Sequence, residues 1–206
     1  IPVANPTVGI EEANAVFKQV KSGWISMGKK VLEFENKVKE FIGVQNAIAI
    51  NNGTSALDAL LTAFNIKEND EVIIPSLTYI STANVVAYKK AKLVLCDSNP
   101  RTFNISRKSL LNKISKKTKL IIVTDMKGMP VDYDFYKNLS KKINVPIIAD
   151  SAESFGAKYK NQIIGSQLIA HTFSFFANKN LTTGEGGMIV TQNKVLAEKL
   201  KVIRNQ

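Results

Sequence analysis

The chain has 206 residues, 45% of them hydrophobic and 22% charged, with 28 Lys+Arg against 17 Asp+Glu and a formal net charge of +11. That is an ordinary globular composition, long enough for one domain with a sizeable core. There is no apolar run of about 18 residues for a membrane span and no basic segment before a long apolar core at the N-terminus. One cysteine, Cys96, and one histidine, His171, exclude an intrachain disulfide, a cysteine metal cluster and any site needing two histidines from this chain.

Taken in chain order, residues 11–22 and 31–42 carry apolar residues at helical spacing, an N-terminal helical segment over about 1–42. AIAIN (47–51) reads as a strand, followed by a helix from about Thr54 to Phe64. EVIIP (71–75) is a strand, a helix follows near 81–89, and KLVLCD (92–97) is the next strand. A helix at 109–115, strand 119–125, helix 132–143 and strand 145–151 follow. Two further strands, 172–176 and 187–192, precede a closing helix at 194–204. Near-continuous Val/Ile strands alternating with helices predict an α/β fold, a mostly parallel seven-stranded sheet with helices on both faces. No repeat or linker divides the chain, so one domain fills 1–206. The lysine pairs at 89–90, 116–117 and 141–142 sit near ends of amphipathic stretches, where they suit the helix dipole and solubility. A nucleic-acid binder needs a concentrated basic patch with exposed aromatics, which this sequence lacks. A cytoplasmic protein with no membrane and no nucleic-acid partner is expected.

Such sheets place ligands at the C-terminal ends of their strands. After 47–51 come Gly53, Thr54 and Ser55 at a helix start. Free N–H groups there form an anion site; plain N-capping by Thr54 or Ser55 is the alternative. Tyr79 follows 71–75, as a stacking face for a planar ligand or as a core tyrosine. Asp150 ends a buried strand and needs a cationic partner, a protonated pyridinium nitrogen among the options, unless it caps a helix. Glu153 lies three residues on. Lys179 sits between an aromatic strand and the glycine-rich TTGEGG turn, with Ser174 five residues before it. An amine nucleophile, an anion cradle, an acid and a stacking face are the parts of a pyridoxal 5′-phosphate site.

The order of these parts resembles the DegT/DnrJ/EryC1/StrS family of pyridoxal-phosphate-dependent sugar aminotransferases, of the aspartate-aminotransferase fold. The resemblance rests on Gly23-Trp24-Ile25-Ser26, NGTSAL (52–57), PSLTYISTANVV (75–86), DSAES (150–154) and SFFANKNLTTGEGGM (174–188). It implies that Lys179 carries the cofactor as an imine, that Asp150 pairs with the pyridine nitrogen and that Glu153 lies by the phenolic oxygen. It further implies a stacking role for Tyr79 and phosphate contacts from Thr54, Ser55 and Ser174. Trp24 and Ser26 fall in a segment that lines the family's substrate mouth, although Trp24 can equally be a packing residue. Glu153 and the SFFANK string bring the chain nearest the perosamine-forming 4-aminotransferases, which act on 4-keto-6-deoxy nucleotide sugars with an amino-acid donor, glutamate by analogy. Lys179 separates it from the sister 3-dehydratases, which carry histidine there. The family's histidine before the Gly-x-Pro turn is Asp125 here. Members are homodimers and continue into a smaller C-terminal domain; this chain ends near the end of the large, cofactor-binding domain. A non-catalytic homologue that binds the cofactor or a partner without turnover is the alternative reading. His171 and Cys96 are expected to be structural.

Overall fold

Branched aliphatic runs form the seven strands of one sheet: β1 (Asn46–Ile50), β2 (Glu71–Pro75), β3 (Lys92–Cys96), β4 (Thr118–Thr124), β5 (Ile147–Asp150), β8 (His171–Ser174) and β9 (Gly187–Thr191). The computed structural model describes residues 5–205. The helical segment expected over about 1–42 and the domain expected over 1–206 thus include residues 1–4 and 206, which lie outside the described ones. The strand order is β1-β9-β8-β5-β4-β2-β3. β2 is parallel to β3 and β4, β4 to β5 and β5 to β8. β9 alone runs against its neighbours β1 and β8, so the sheet is mostly parallel, as its Val/Ile runs predict.

Both faces are covered, because successive strand residues point to opposite sides. On β4, Ile121 and Val123 point into one core, and Leu120 and Ile122 into the other. The first core is closed by α2 (Lys29–Ile42), α5 (Arg107–Lys113) and α6 (Tyr133–Ile143), through Val38, Leu110 and Tyr136. The second is closed by α3 (Gly53–Ala63), α4 (Ser81–Tyr88) and α7 (Lys194–Asn205), through Leu60, Val85 and Leu200. Arg204 near the end of α7 pairs with the buried Glu35 of α2 at 2.5 Å, and the same Glu35 oxygen accepts the Ala49 N–H of β1 at 2.8 Å. That contact ties helices from opposite layers to one edge of the sheet.

Two findings depart from the expected elements. A small hairpin, β6 (Lys158–Tyr159) with β7 (Gln162–Ile163), stands apart from the sheet. Its two-residue strands are too short to show a period; Lys160 and Asn161 at the turn both have positive φ, 48° and 66°, the backbone of a primed hairpin turn. The amphipathic α1 (Ile10–Lys21) buries nothing: Ile10, Val16, Phe17 and Val20 are all exposed. Among the described residues no helix is long and apolar enough to cross a membrane.

Candidate active site

Five strand ends converge on one cavity of ≈ 380 Å³. Asn52, Gly53 and Thr54 come from the β1–α3 junction, Thr78 and Tyr79 from the segment after β2, and Thr124 and Met126 from the end of β4. Asp150 and Glu153 come from the end of β5 and the turn after it, and Ser174 and Lys179 from β8 and its following loop.

The cradle end is set by sheet register. Gly187 of β9 pairs with Ile50 on one side and Ser174 on the other. A Cβ at Gly187 would lie 2.5 Å from the carbonyl atoms of Asn52, closer than any side chain tolerates, so glycine lets the turn before α3 cross β9. A Cβ at Gly53 would lie 3.1 Å from the Ser174 Cβ, which places the helix start directly against the Ser174 side chain. Asn52 caps α3 by accepting the Ser55 N–H at 2.8 Å. The capping role open to Thr54 or Ser55 thus belongs to Asn52, whose position just before Gly-Thr-Ser was the signal for it.

Lys179 is held by its loop. Phe175 N–H donates to the Gly186 carbonyl at 2.8 Å, Thr183 N–H to the Phe175 carbonyl at 3.0 Å and Lys179 N–H to the Phe176 carbonyl at 3.0 Å. Edge-on contacts of Phe175 with Phe34 and Phe155 fix the strand end below. The Lys179 side chain is 20% exposed, and its Nζ lies 3.7 Å from Glu153 Oε1. Glu153 Oε2 in turn accepts the Lys127 N–H at 2.9 Å.

Asp150 is 4% exposed. Oδ2 accepts the Thr82 hydroxyl at 2.8 Å, and Oδ1 accepts the Ala152 N–H at 3.2 Å. Burial pushes its carboxyl above the usual aspartate range; the Thr82 and Ala152 hydrogen bonds and the Lys179 charge pull the other way. Among the described residues it makes no ion pair. An anion so placed is costly without a cation.

Asp125, where the family pattern has histidine, does not line the cavity. It is fully buried and accepts the Val131 N–H at 2.9 Å, the Tyr133 hydroxyl at 2.5 Å, Ser151 Oγ at 2.6 Å and Ser154 Oγ at 3.3 Å. It clamps the 126–131 loop to the 151–154 turn, the two segments that carry Met126 and Glu153. His171 is equally buried: Leu168 N–H donates to its Nε2 at 3.4 Å, so Nδ1 carries the proton toward Ser151 Oγ at 3.1 Å. Burial drives its pKa down to about 3, which makes it a neutral core group.

The cavity therefore gathers Lys179, Asp150, Gly53, Thr54, Tyr79, Glu153 and Ser174. Tyr79 stands at the rim, 74% exposed. Ser55 and Ser26, expected beside them, instead line a second cavity with Met27, Asn51 and Arg204. Successive helix side chains point about 100° apart, and here Thr54 lines the first cavity while Ser55 lines the second. Trp24 is 60% exposed, donates its indole N–H to the Met27 carbonyl at 3.2 Å and lies over Gly28. Cys96 is buried, and no group of His, Cys, Asp or Glu among the described residues has the geometry to hold a metal. Sequence reasoning missed Thr78, Thr82 and Thr124, which lie in the segment after β2, on α4 and at the end of β4, and no spacing in the sequence groups them.

These residues fit pyridoxal 5′-phosphate. The unpaired buried Asp150 suits a protonated ring nitrogen, Lys179 reaches the same space, and the Gly53–Ser174 contact forms an edge with backbone N–H and hydroxyl donors for an anion. Comparison with known proteins agrees. The model of the DegT/DnrJ/EryC1/StrS aminotransferase family matches residues 6–206. A GDP-perosamine synthase of Caulobacter vibrioides is 43% identical over 207 residues, covering 100% of this chain and 56% of that protein. PseC of Helicobacter pylori, an aminotransferase involved in pseudoaminic acid biosynthesis, superposes with a TM-score of 0.92 at 31% identity, over 98% of this chain and 55% of that one. A putative sugar aminotransferase from Streptococcus pneumoniae, solved in its PLP form, gives a TM-score of 0.90 at 29% identity, over 98% and 57%. The chain thus spans little more than half the length of these relatives and shares the fold of their matching part. It belongs to the DegT/DnrJ/EryC1/StrS aminotransferase family.

Proposed function

We propose that this chain is the cofactor-binding large domain of a pyridoxal-phosphate-dependent nucleotide-sugar aminotransferase. Its reaction moves an amino group from an amino acid, glutamate by analogy, to a 4-keto-6-deoxy nucleotide sugar. The observation that carries this reading is the meeting of Lys179 and the unpaired, buried Asp150 in one cavity with the Gly53–Ser174 edge. The resemblance to GDP-perosamine synthases supports the substrate class.

Pyridoxal phosphate, when bound, supplies an electron sink and a carrier for the amino group. Lys179 Nζ, on a loop fixed by the Phe175 and Phe176 carbonyls, takes a proton from the donor carbon and returns it, as general base and then acid. Asp150 keeps a proton on the ring nitrogen. Thr54 and Ser174, with the backbone at Gly53, hold the phosphate. Glu153 stands beside Lys179 at 3.7 Å, and Tyr79 covers the ring face at the rim. The reading includes a homodimer, which would cover the apolar stripe that α1 leaves open.

The test is covalent capture. The chain is incubated with pyridoxal phosphate, reduced with borohydride and mapped by peptide mass. The expected result is a cofactor adduct on Lys179, absent in Lys179→Ala. An adduct on another lysine, or none, overturns the site. Capture followed by no spectral response to glutamate assigns cofactor binding without turnover and overturns the catalytic part alone.

A further inference from the structure

Behind Asp150 lies a line of three threonines. Thr82 on α4 is fully buried, and its Oγ1 lies 2.8 Å from Asp150 Oδ2. Thr78 Oγ1 lies 3.0 Å from Thr82 Oγ1, and Thr124 Oγ1 of β4 lies 3.3 Å from Thr78 Oγ1. Thr78 and Thr124 both reach the cavity wall. Each hydroxyl has one proton to give. An ionised carboxylate only accepts, so the Thr82 proton is committed to Asp150. Thr82 must then accept from Thr78, and Thr78 from Thr124. With Asp150 as an anion the chain has one consistent direction, Thr124 to Thr78 to Thr82 to Oδ2. Aligned hydroxyl dipoles of this kind reinforce one another in a low-dielectric interior.

We propose that Thr82 is a positioning residue for Asp150, the last link of a hydroxyl chain that holds this carboxylate as an oriented anion. The inference rests on the cofactor reading above for its consequence: an Asp150 held in that state is ready to keep the ring nitrogen protonated. Each oxygen accepts one hydrogen bond and keeps one further acceptor site; the Thr82 bond to Oδ2, at 2.8 Å, is the shorter of the two, against 3.2 Å for the Ala152 N–H to Oδ1. The charged groups facing Asp150 are Lys179, which favours the anion, and Glu153, which opposes it. Their effects leave the local hydrogen bond as the contribution that a single methyl-for-hydroxyl exchange can remove. Thr82 itself is fully buried, so a methyl group in place of its hydroxyl leaves Oδ2 without that donor.

The experiment uses Thr82→Val, which keeps the shape and loses the hydroxyl, and Thr82→Ser, which keeps the hydroxyl. Two quantities are measured: the pH midpoint of the Asp150 carboxyl carbon by NMR in the cofactor-free chain, and the dissociation constant for pyridoxal phosphate. A hydrogen bond to a charged group corresponds to roughly a tenfold change or more. Thr82→Val is expected to raise the Asp150 midpoint by about one pH unit and to weaken cofactor binding about tenfold. Thr82→Ser is expected to restore both. A merely structural role for Thr82 would lower the unfolding midpoint and leave the carboxyl midpoint in place. Wild-type chain that takes up no cofactor on Lys179 overturns the site reading. Wild-type capture with an unmoved carboxyl midpoint in Thr82→Val, or no rescue by Thr82→Ser, overturns this inference and leaves the site reading standing. Should Thr82→Val not fold, Thr78→Val, one hydroxyl further out, must raise the midpoint in the same direction by a smaller amount; no shift there overturns the chain.

Discussion

Replacing Gly187 by alanine puts one methyl group where the cofactor cradle meets the sheet. The new Cβ would stand 2.5 Å from both the carbonyl carbon and oxygen of Asn52 and 2.9 Å from the Gly53 nitrogen. All three are backbone atoms, so no rotamer change makes room. Non-bonded carbon atoms rest roughly 3.5–4.0 Å apart, so β9 and the turn before α3 must separate by about 1 Å. Overpacking of this kind lowers stability by about 1–3 kcal/mol. With a urea slope of about 2 kcal/mol/M, a loss of about 2 kcal/mol lowers the unfolding midpoint by about 1 M. The same displacement pulls Gly53 away from Ser174, the two sides of the anion cradle. A shift of about 1 Å in a positioned group weakens what it serves by up to about 100-fold, so the affinity for pyridoxal phosphate should fall at least tenfold. Gly43→Ala is the control. Gly43 ends α2 with φ of 79° and open space around it, so alanine there lowers stability by about 1–2 kcal/mol through backbone strain and leaves cofactor affinity unchanged. Gly187→Ala with the wild-type urea midpoint and wild-type affinity would refute the argument that backbone approach at this strand shapes the cradle.

Arg204→Met leaves the Glu35 carboxylate buried without its partner. Unfolding in urea should show a loss of about 3–5 kcal/mol, and a loss below about 1 kcal/mol would mean that Glu35 finds water at that sheet edge. His171, with a pKa pushed down to about 3 by burial, stays neutral in the folded chain and takes a proton near pH 6.5 in the unfolded chain. Its contribution to stability is complete above about pH 6.5 and is lost as the pH falls from there toward 3. The His171 ring resonances should not titrate between pH 8 and 5, and the fall in stability over that range should be shallower in His171→Gln; a ring midpoint near 6.5 in the folded chain refutes its burial as a neutral group.

The layer plan was legible because parallel strands buried on both faces read as unbroken aliphatic runs, and the amphipathic helices between them show their period. Asp150 stood out because a charged residue at the end of an apolar strand violates the local pattern; Lys179, in the loop after β8, stood out only through its aromatic and glycine-rich neighbours and the family resemblance. The β6–β7 hairpin was not legible, because two-residue strands carry no period. Ser55 was expected at the phosphate cradle from its place at the helix start and from the resemblance, and Ser26 at the substrate mouth from the resemblance, yet both line another cavity. Asp125 read only as a departure from the family's histidine, and the structure makes it a buried clamp with four donors. The sequence by itself determined which residue types stand at the strand ends, since burial of the strands is a local property. Only the tertiary structure decided the strand order that puts β9 between β1 and β8, and with it the pairing of Gly187 to Ile50 and Ser174. Which hydroxyls stand behind Asp150 was decided there too, because Thr78, Thr82, Thr124 and Asp150 meet through contacts between segments up to 68 residues apart, and no local pattern encodes such distances.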